Sequence, residues 1–224
     1  MIRAMAVRLL EGCRWTVVLA TAALAVHAAA LVVPGGGRLA ELLTFEREAI
    51  LAGQIWRVLG GHLAHFTIEQ LVWNVVVFVA LGCLCEKKLG AAYLPSLAGS
   101  ALLVSVGMLL LDSGIRRYRG LSGVASALFT VTMVFAIAGA VRSRRLLLVG
   151  LSLAGTALFA GKVLHETLSG SAVFSRDLAT AGVVPVPLAH VLGGIAGALI
   201  GLAGMRSPSP PYSPARRDGL TLTR

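Results

Sequence analysis

A serine lies among small residues in the run Tyr118-Arg-Gly-Leu-Ser-Gly-Val124, where a basic stretch gives way to a long apolar one. Ser122 combines a hydroxyl with the bare backbone of Gly120 and Gly123. A hydroxyl becomes a nucleophile when a base takes its proton, and neutral imidazole has the pKa for that task near pH 7. The candidate base is His190, in Pro187-Leu-Ala-His-Val-Leu-Gly-Gly194. Together the two side chains support attack on a carbonyl, and the oxyanion that forms needs hydrogen-bond donors. A helix opening near Leu121 supplies unpaired N–H groups and the positive end of its dipole. The glycines let a substrate backbone come close.

The elements that must position these residues follow from the solvent. Of 224 residues, 57% are hydrophobic and 13% charged, and 26 are glycine, which is too apolar for an ordinary soluble domain. A hydrocarbon core about 30 Å thick takes roughly 20 residues per helix, so the chain holds about six spans with short loops. The reading is an all-α membrane protein, one six-transmembrane-helix bundle. A basic N-terminus, 1–14, precedes spans at about 15–33, 65–85, 91–111, 121–141, 146–165 and 187–205. A proline-rich, basic tail at 206–224 reads as disordered. The first apolar run continues through Leu31 to Val33 beyond Ala28-Ala29-Ala30, longer than most signal-peptide cores, and reads as a retained helix. Between spans one and two, 38–61 has Leu39, Leu42, Leu43, Ile50, Leu51 and Ile55 at helical spacing. It is expected to lie half immersed in the interface with Trp56 as its anchor.

The net charge of +10 does not read as a nucleic-acid footprint, because the cations are scattered between apolar runs without aromatic interleaving. They set orientation instead. With an inside N-terminus, the inner segments hold Arg3, Arg8, Arg14, Lys87, Lys88, Arg142, Arg144, Arg145, Arg206, Arg216, Arg217 and Arg224, and the outer segments hold the minority. Both termini are therefore placed in the cytoplasm. Spans four and six then run from outside to inside, with Ser122 and His190 within roughly 5 Å of the outer boundary at 1.5 Å per residue. Their faces agree as well. His190, Gly194, Gly197 and Gly201 form a small-residue stripe, and Gly123 with Ala127 gives span four a small pair, so two backbones can approach closely.

Other polar residues read more plainly. His62 and His65 share a helical face but have no Cys or acidic partner at ligand spacing, so they read as hydrogen-bonded structural residues and no metal site is expected. Cys13, Cys83 and Cys85 fall on the reducing side and read as packing residues. Glu86-Lys87-Lys88 reads as the cap of span two and the mark of the inner surface, and His165 with Glu166 as a polar rim or part of a substrate entry.

The combination of Gly120-Leu-Ser-Gly123, Ala189-His190-Val-Leu-Gly193-Gly194, the segment from His65 to Asn74 and Glu86-Lys-Lys-Leu-Gly90 resembles the rhomboid family of intramembrane serine proteases over about residues 50 to 205. Within that family, Gly-Gln-Ile-Trp-Arg57, Gly61-His62-Leu-Ala-His65 and the Tyr-Arg-Gly-Leu-Ser-Gly form look most like the rhombosortase subgroup. The resemblance implies a Ser-His dyad without a third acid, Ser122 as nucleophile and His190 as base. Asn74 matches the asparagine that helps hold the oxyanion. Gln70 stands four residues earlier, where the family usually has a histidine, and its amide also donates hydrogen bonds. Gly120, Leu121 and Gly123 complete the oxyanion and substrate-binding set. No cofactor is implied.

The implied substrate is a single-span membrane protein cut in or next to its transmembrane segment near the outer face of the bilayer. For rhombosortases it is a C-terminal Gly-Gly, hydrophobic, basic sorting signal on exported bacterial proteins, which implies the bacterial inner membrane. The sequence leaves the oligomeric state unknown. A non-catalytic relative that binds transmembrane helices is the alternative, but such relatives usually lack the serine or the histidine, and both are present. A small transporter using His190 and Asn74 would call for paired broken helices or an internal repeat. The sequence has neither.

Overall fold

The computed structural model describes residues 12–174, 177 and 185–206. Arg3 and Arg8 of the basic N-terminus, most of the loop before Pro185 and the tail from Ser207 lie outside the described residues. The described chain is an all-helical membrane bundle. In chain order its elements are α1 (Arg14–Val32), α2 (Gly37–Leu43), β1 (Phe45–Glu46), α3 (Arg47–Leu51), α4 (Arg57–Gly60), α5 (Ile68–Leu89), α6 (Tyr93–Leu111), β2 (Arg117–Tyr118), α7 (Ser122–Arg142), α8 (Leu146–Ser169) and α9 (Pro187–Arg206). Helices α1, α7, α8 and α9 and the continuous stretch Ile68–Leu111 are long and apolar enough to cross a membrane. That stretch is α5 and α6 joined by the 3-10 turn Gly90–Ala92.

The helix ends have local causes. Thr67 caps α5 by accepting from Gln70 N at 3.2 Å, while Lys87 and Lys88 occupy its last turn, where cations oppose the dipole favourably. Gly90, at φ +55°, lets the chain leave that helix. Proline opens α9, where its missing N–H costs nothing.

Glu86 does something other than mark a surface. It is buried, and its carboxylate accepts from Trp15 N, Thr16 N and the Thr16 hydroxyl at 2.9, 2.9 and 2.7 Å. Cys13, at the N-cap of α1, makes no side-chain capping bond. The acid of one span therefore caps the start of another, answering orphan N–H groups that α1 cannot satisfy itself.

The 38–61 segment is helical only in short pieces. It breaks at Thr44 and at Gly53, whose φ is +99°. Arg57 is the reason it folds inward. Its guanidinium is buried and donates to Glu41 O at 2.6 Å, Thr44 O at 2.9 Å and Gln54 Oε1 at 2.7 Å, so a helical period in the sequence yields to a buried cation wrapped in carbonyls. Trp56 is half exposed and donates to Leu42 O at 3.1 Å. Phe45, fully buried, pairs antiparallel with Tyr118 in a two-residue ladder.

Two apolar clusters hold the bundle. One joins Leu71, Phe78, Tyr93 and Val131 across α5, α6 and α7; the other sets Phe45, Val104, Met108, Tyr118 and Leu192 under the loop that leads into α7.

Candidate active site

Small residues bring α7 and α9 together. A Cβ on Gly193 would run into the Gly123 carbonyl oxygen, and one on Gly197 into that of Ala127, so the two backbones touch where only glycine leaves room. A Cβ on Gly201 would lie 2.8 Å from Val134 Cβ. Gly194, expected in this contact, faces Thr130 and Phe159 more loosely, at 3.7 and 3.8 Å. Gly193 takes its place in the stripe.

The loop before α7 is fixed from several sides. Gly120 has φ +130°, a region that favours glycine. Its N–H donates to Gly61 O at 2.9 Å, and its carbonyl accepts from the buried Tyr118 hydroxyl at 2.8 Å. Burial pushes the Tyr118 phenol up, so it stays a protonated donor. Arg119 donates to Thr44 Oγ1 at 2.7 Å and Glu41 Oε1 at 2.6 Å, and Arg117 also binds Glu41. Gln70 clamps the same loop. Its Oε1 accepts from Phe66 N at 2.9 Å and its Nε2 donates to Arg119 O at 2.9 Å, which leaves one amide hydrogen uncommitted.

Ser122 opens α7 as its first helical residue, and its Oγ is 3.4 Å from the Tyr118 hydroxyl oxygen. The first backbone bond of the helix runs from Ala125 N to Leu121 O, so the N–H groups of Ser122 to Val124 precede it; that of Gly123 reaches Tyr118 Oη at 3.3 Å. Asn74 reaches the loop from α5. A Cβ on Gly120 would be 3.0 Å from Asn74 Nδ2 and 3.0 Å from Gln70 Nε2, and Asn74 Nδ2 is buried without a hydrogen-bond partner among the described residues. A buried donor left unpaired costs about 1–3 kcal/mol, so it is poised for an acceptor.

His190 is buried on α9, and its Nδ1 lies 3.1 Å from Ser126 Oγ rather than against Ser122. Ser126 is one turn further along α7, and its hydroxyl is 2.8 Å from Ser122 O. The Nε2 side of the ring meets Lys162 Nζ at 3.2 Å and Glu166 Oε2 at 3.3 Å. Ser122, Asn74, Gln70 and His190 nevertheless line one cavity of about 460 Å³, whose walls include Trp73 from α5, Phe129 from α7 and Phe159 from α8. Trp73 and Phe174 rings, 5.5 Å apart, close one edge. Leu121 is buried in the core below rather than lining the cavity.

Of three further neighbours of the site, Ser126 and Lys162 have no assigned role in the sequence reading, and Glu166 is read there as a polar rim or part of a substrate entry. Ser126 carries a signal, since i and i+4 share a helix face. Lys162 and Glu166 carry a stronger one, because an ionisable pair inside an apolar helix faces the interior. Helix α8 runs past His165 to Ser169, with His165 exposed and Glu166 buried in the cavity wall rather than on a rim. His62 is hydrogen-bonded through Nε2 as expected, whereas His65, expected to be likewise, is buried with neither ring nitrogen in a hydrogen bond among the described residues. The Ser105 hydroxyl donates to Val58 O at 2.7 Å, so His62 Nε2 is the donor towards Ser105 Oγ and Ala101 O at 3.0 and 3.1 Å.

Residues 52–207, most of the chain, match the family described as the Rhomboid domain. A search of the curated proteins finds no match.

Proposed function

The chain belongs to the rhomboid family, generally serine proteases that act on membrane proteins within the bilayer, and from this we propose that it is a rhomboid-type serine endopeptidase using Ser122 and His190. The observation that carries the reading is the convergence of Ser122, His190 and the unpaired Asn74 amide on one cavity at the start of α7.

Ser122 Oγ attacks the carbonyl carbon of a peptide bond, and His190 takes the hydroxyl proton. The oxyanion is met by Asn74 Nδ2 and by the N–H groups that open α7, with the helix dipole adding to them. As the tetrahedral adduct collapses, the C–N bond breaks and the leaving amine takes the proton from His190. Water then attacks the acyl-serine, gives its proton to His190 and releases the acid while Ser122 regains its own. The resting contact of His190 with Ser126 means that the ring swings one helical turn along α7 to reach Ser122. Ser126 is not the nucleophile in this scheme. It is buried in the helix interior, where the backbone N–H groups are consumed by the helix and leave no oxyanion donors. Gly120 turns the loop beside the Asn74 and Gln70 amides, Gly123 leaves room for α9, Leu121 anchors the loop in the core, and Gln70 holds the loop and offers its remaining amide hydrogen.

The substrate in this proposal is a single-span protein whose helix enters the cavity from the bilayer. The subgroup resemblance narrows it to a C-terminal Gly-Gly, hydrophobic, basic tail. The subgroup resemblance supports residence in the bacterial inner membrane, and the distribution of cations supports cytoplasmic termini. The test places purified protein in liposomes with such a substrate, beside Ser122→Ala and His190→Ala. Cleavage by wild type alone supports the reading, and equal cleavage by Ser122→Ala sinks it. Cutting of generic helices but not of the Gly-Gly substrate keeps the protease and removes the subgroup.

A further inference from the structure

The wall facing His190 carries an ion pair that the steps above leave unused. Lys162 and Glu166 are one turn apart on α8, with Lys162 Nζ 2.7 Å from Glu166 Oε2, and the Glu166 side chain is 3% exposed. A charged pair inside a span is costly and faces protein or a wet cavity. This pair faces the imidazole, since both charged groups meet His190 Nε2, while Glu166 Oε1 accepts from Val173 N at 3.1 Å.

Counting protons shows which neighbour each form of the ring satisfies. If the single Ser126 proton goes to Ser122 O, the neutral ring must donate Nδ1–H to Ser126. Its Nε2 lone pair then accepts from Lys162, and the contact with Glu166 goes unfilled. An imidazolium instead fills the contact with Glu166, donating from Nδ1 to Ser126 and from Nε2 to the carboxylate. Lys162 then donates to Glu166, and its 3.2 Å approach to Nε2 becomes a contact between two donors across the shared carboxylate. Imidazolium is what the base becomes when Ser122 gives up its proton.

Resting on the protease reading, we propose that Glu166 is a positioning acid for His190, making the pair of Ser122 and His190 a three-membered relay, with Lys162 holding the carboxylate charged and in place. Once the ring leaves Ser126, whose acceptor oxygen had held the proton on Nδ1, Glu166 selects the Nε2–H tautomer, so that the Nδ1 lone pair faces Ser122. The transferred proton moves from Ser122 Oγ to Nδ1 and then to the leaving amine; Glu166 does not take it.

Wild type, Glu166→Gln, Glu166→Asp and the double variant K162M/E166Q are to be compared in liposomes. Three quantities are read: cleavage of the Gly-Gly substrate, labelling of Ser122 by a fluorophosphonate, and the melting temperature. Glu166→Gln is expected to lower kcat about 10²–10³-fold with KM little changed, and to slow labelling in proportion. Glu166→Asp, which retains the charge, restores part of that loss. K162M/E166Q leaves no lone buried charge to disturb folding and is expected to show the same loss in kcat. A lower melting temperature with wild-type kcat and labelling in Glu166→Gln, or wild-type rates in the double variant, overturns the positioning role and leaves the protease standing. A wild-type protein that neither cleaves nor labels overturns both.

Discussion

The residues that matter most are those whose polar atoms have somewhere to go only during a reaction. Among the described residues, Ser122 Oγ has one long contact, with Tyr118, and Asn74 Nδ2 has none. In the proposed scheme, Ser122→Ala and His190→Ala each lower cleavage by at least about 10⁴-fold, measured against a single-span substrate in liposomes. Asn74→Ala removes one oxyanion donor and is expected to cost about 10²-fold in kcat with KM nearly unchanged. Ser126→Ala tests which serine is attacked. It frees the imidazole from its resting partner and should keep fluorophosphonate labelling, whereas loss of all labelling in that variant alone would make Ser126 the nucleophile.

At the scale of elements, the site exists because α7 and α9 touch backbone to backbone. Gly193→Ala puts a methyl against the Gly123 carbonyl and should force the helices apart, lowering stability by about 1–3 kcal/mol and activity with it. Gly139→Ala, where an added Cβ meets nothing within 4 Å, is the matched control and should change neither. Melting in detergent and substrate cleavage read the two effects. A second joint is Glu86, whose carboxylate holds three donors at the start of α1. Glu86→Ala leaves buried N–H groups unpaired and is expected to destabilise the bundle by about 1–3 kcal/mol, with α1 the first helix to open in hydrogen exchange.

At the scale of the whole molecule, pH acts on stability through a histidine outside the spans. Burial pushes the His62 imidazole down to about 4. The folded protein therefore keeps this ring neutral, while the unfolded chain binds a proton below roughly 6.5. Between those values the unfolded state holds more protons, so stability falls as pH drops from 6.5 towards 4. The loss from this one group is about 2 kcal/mol at pH 5. A detergent melt at pH 7 and pH 5 reads the fall, and His62→Asn should make it shallower.

The sequence alone determined the solvent and the class of fold. A composition this apolar, cut at intervals by cations, has to be satisfied by membrane helices, because lipid offers the backbone no other partner. It also determined where Ser122 stands, since a glycine-flanked serine at a change from basic to apolar opens a helix, and it marked the small residues through which α7 and α9 meet. What only the tertiary structure decided is which neighbour each polar group faces. Gly193 rather than Gly194 makes the close contact, because the face of a helix that meets its neighbour is set by the crossing of both. Arg57 folds the 38–61 segment inward through carbonyls brought together by the chain itself, which no helical period encodes. The same holds at the site. Whether His190 rests on Ser122 or on Ser126, and whether Glu166 is a rim residue or a partner of the imidazole, depends on the rotation of α7, α8 and α9 about their own axes, and packing alone fixes that.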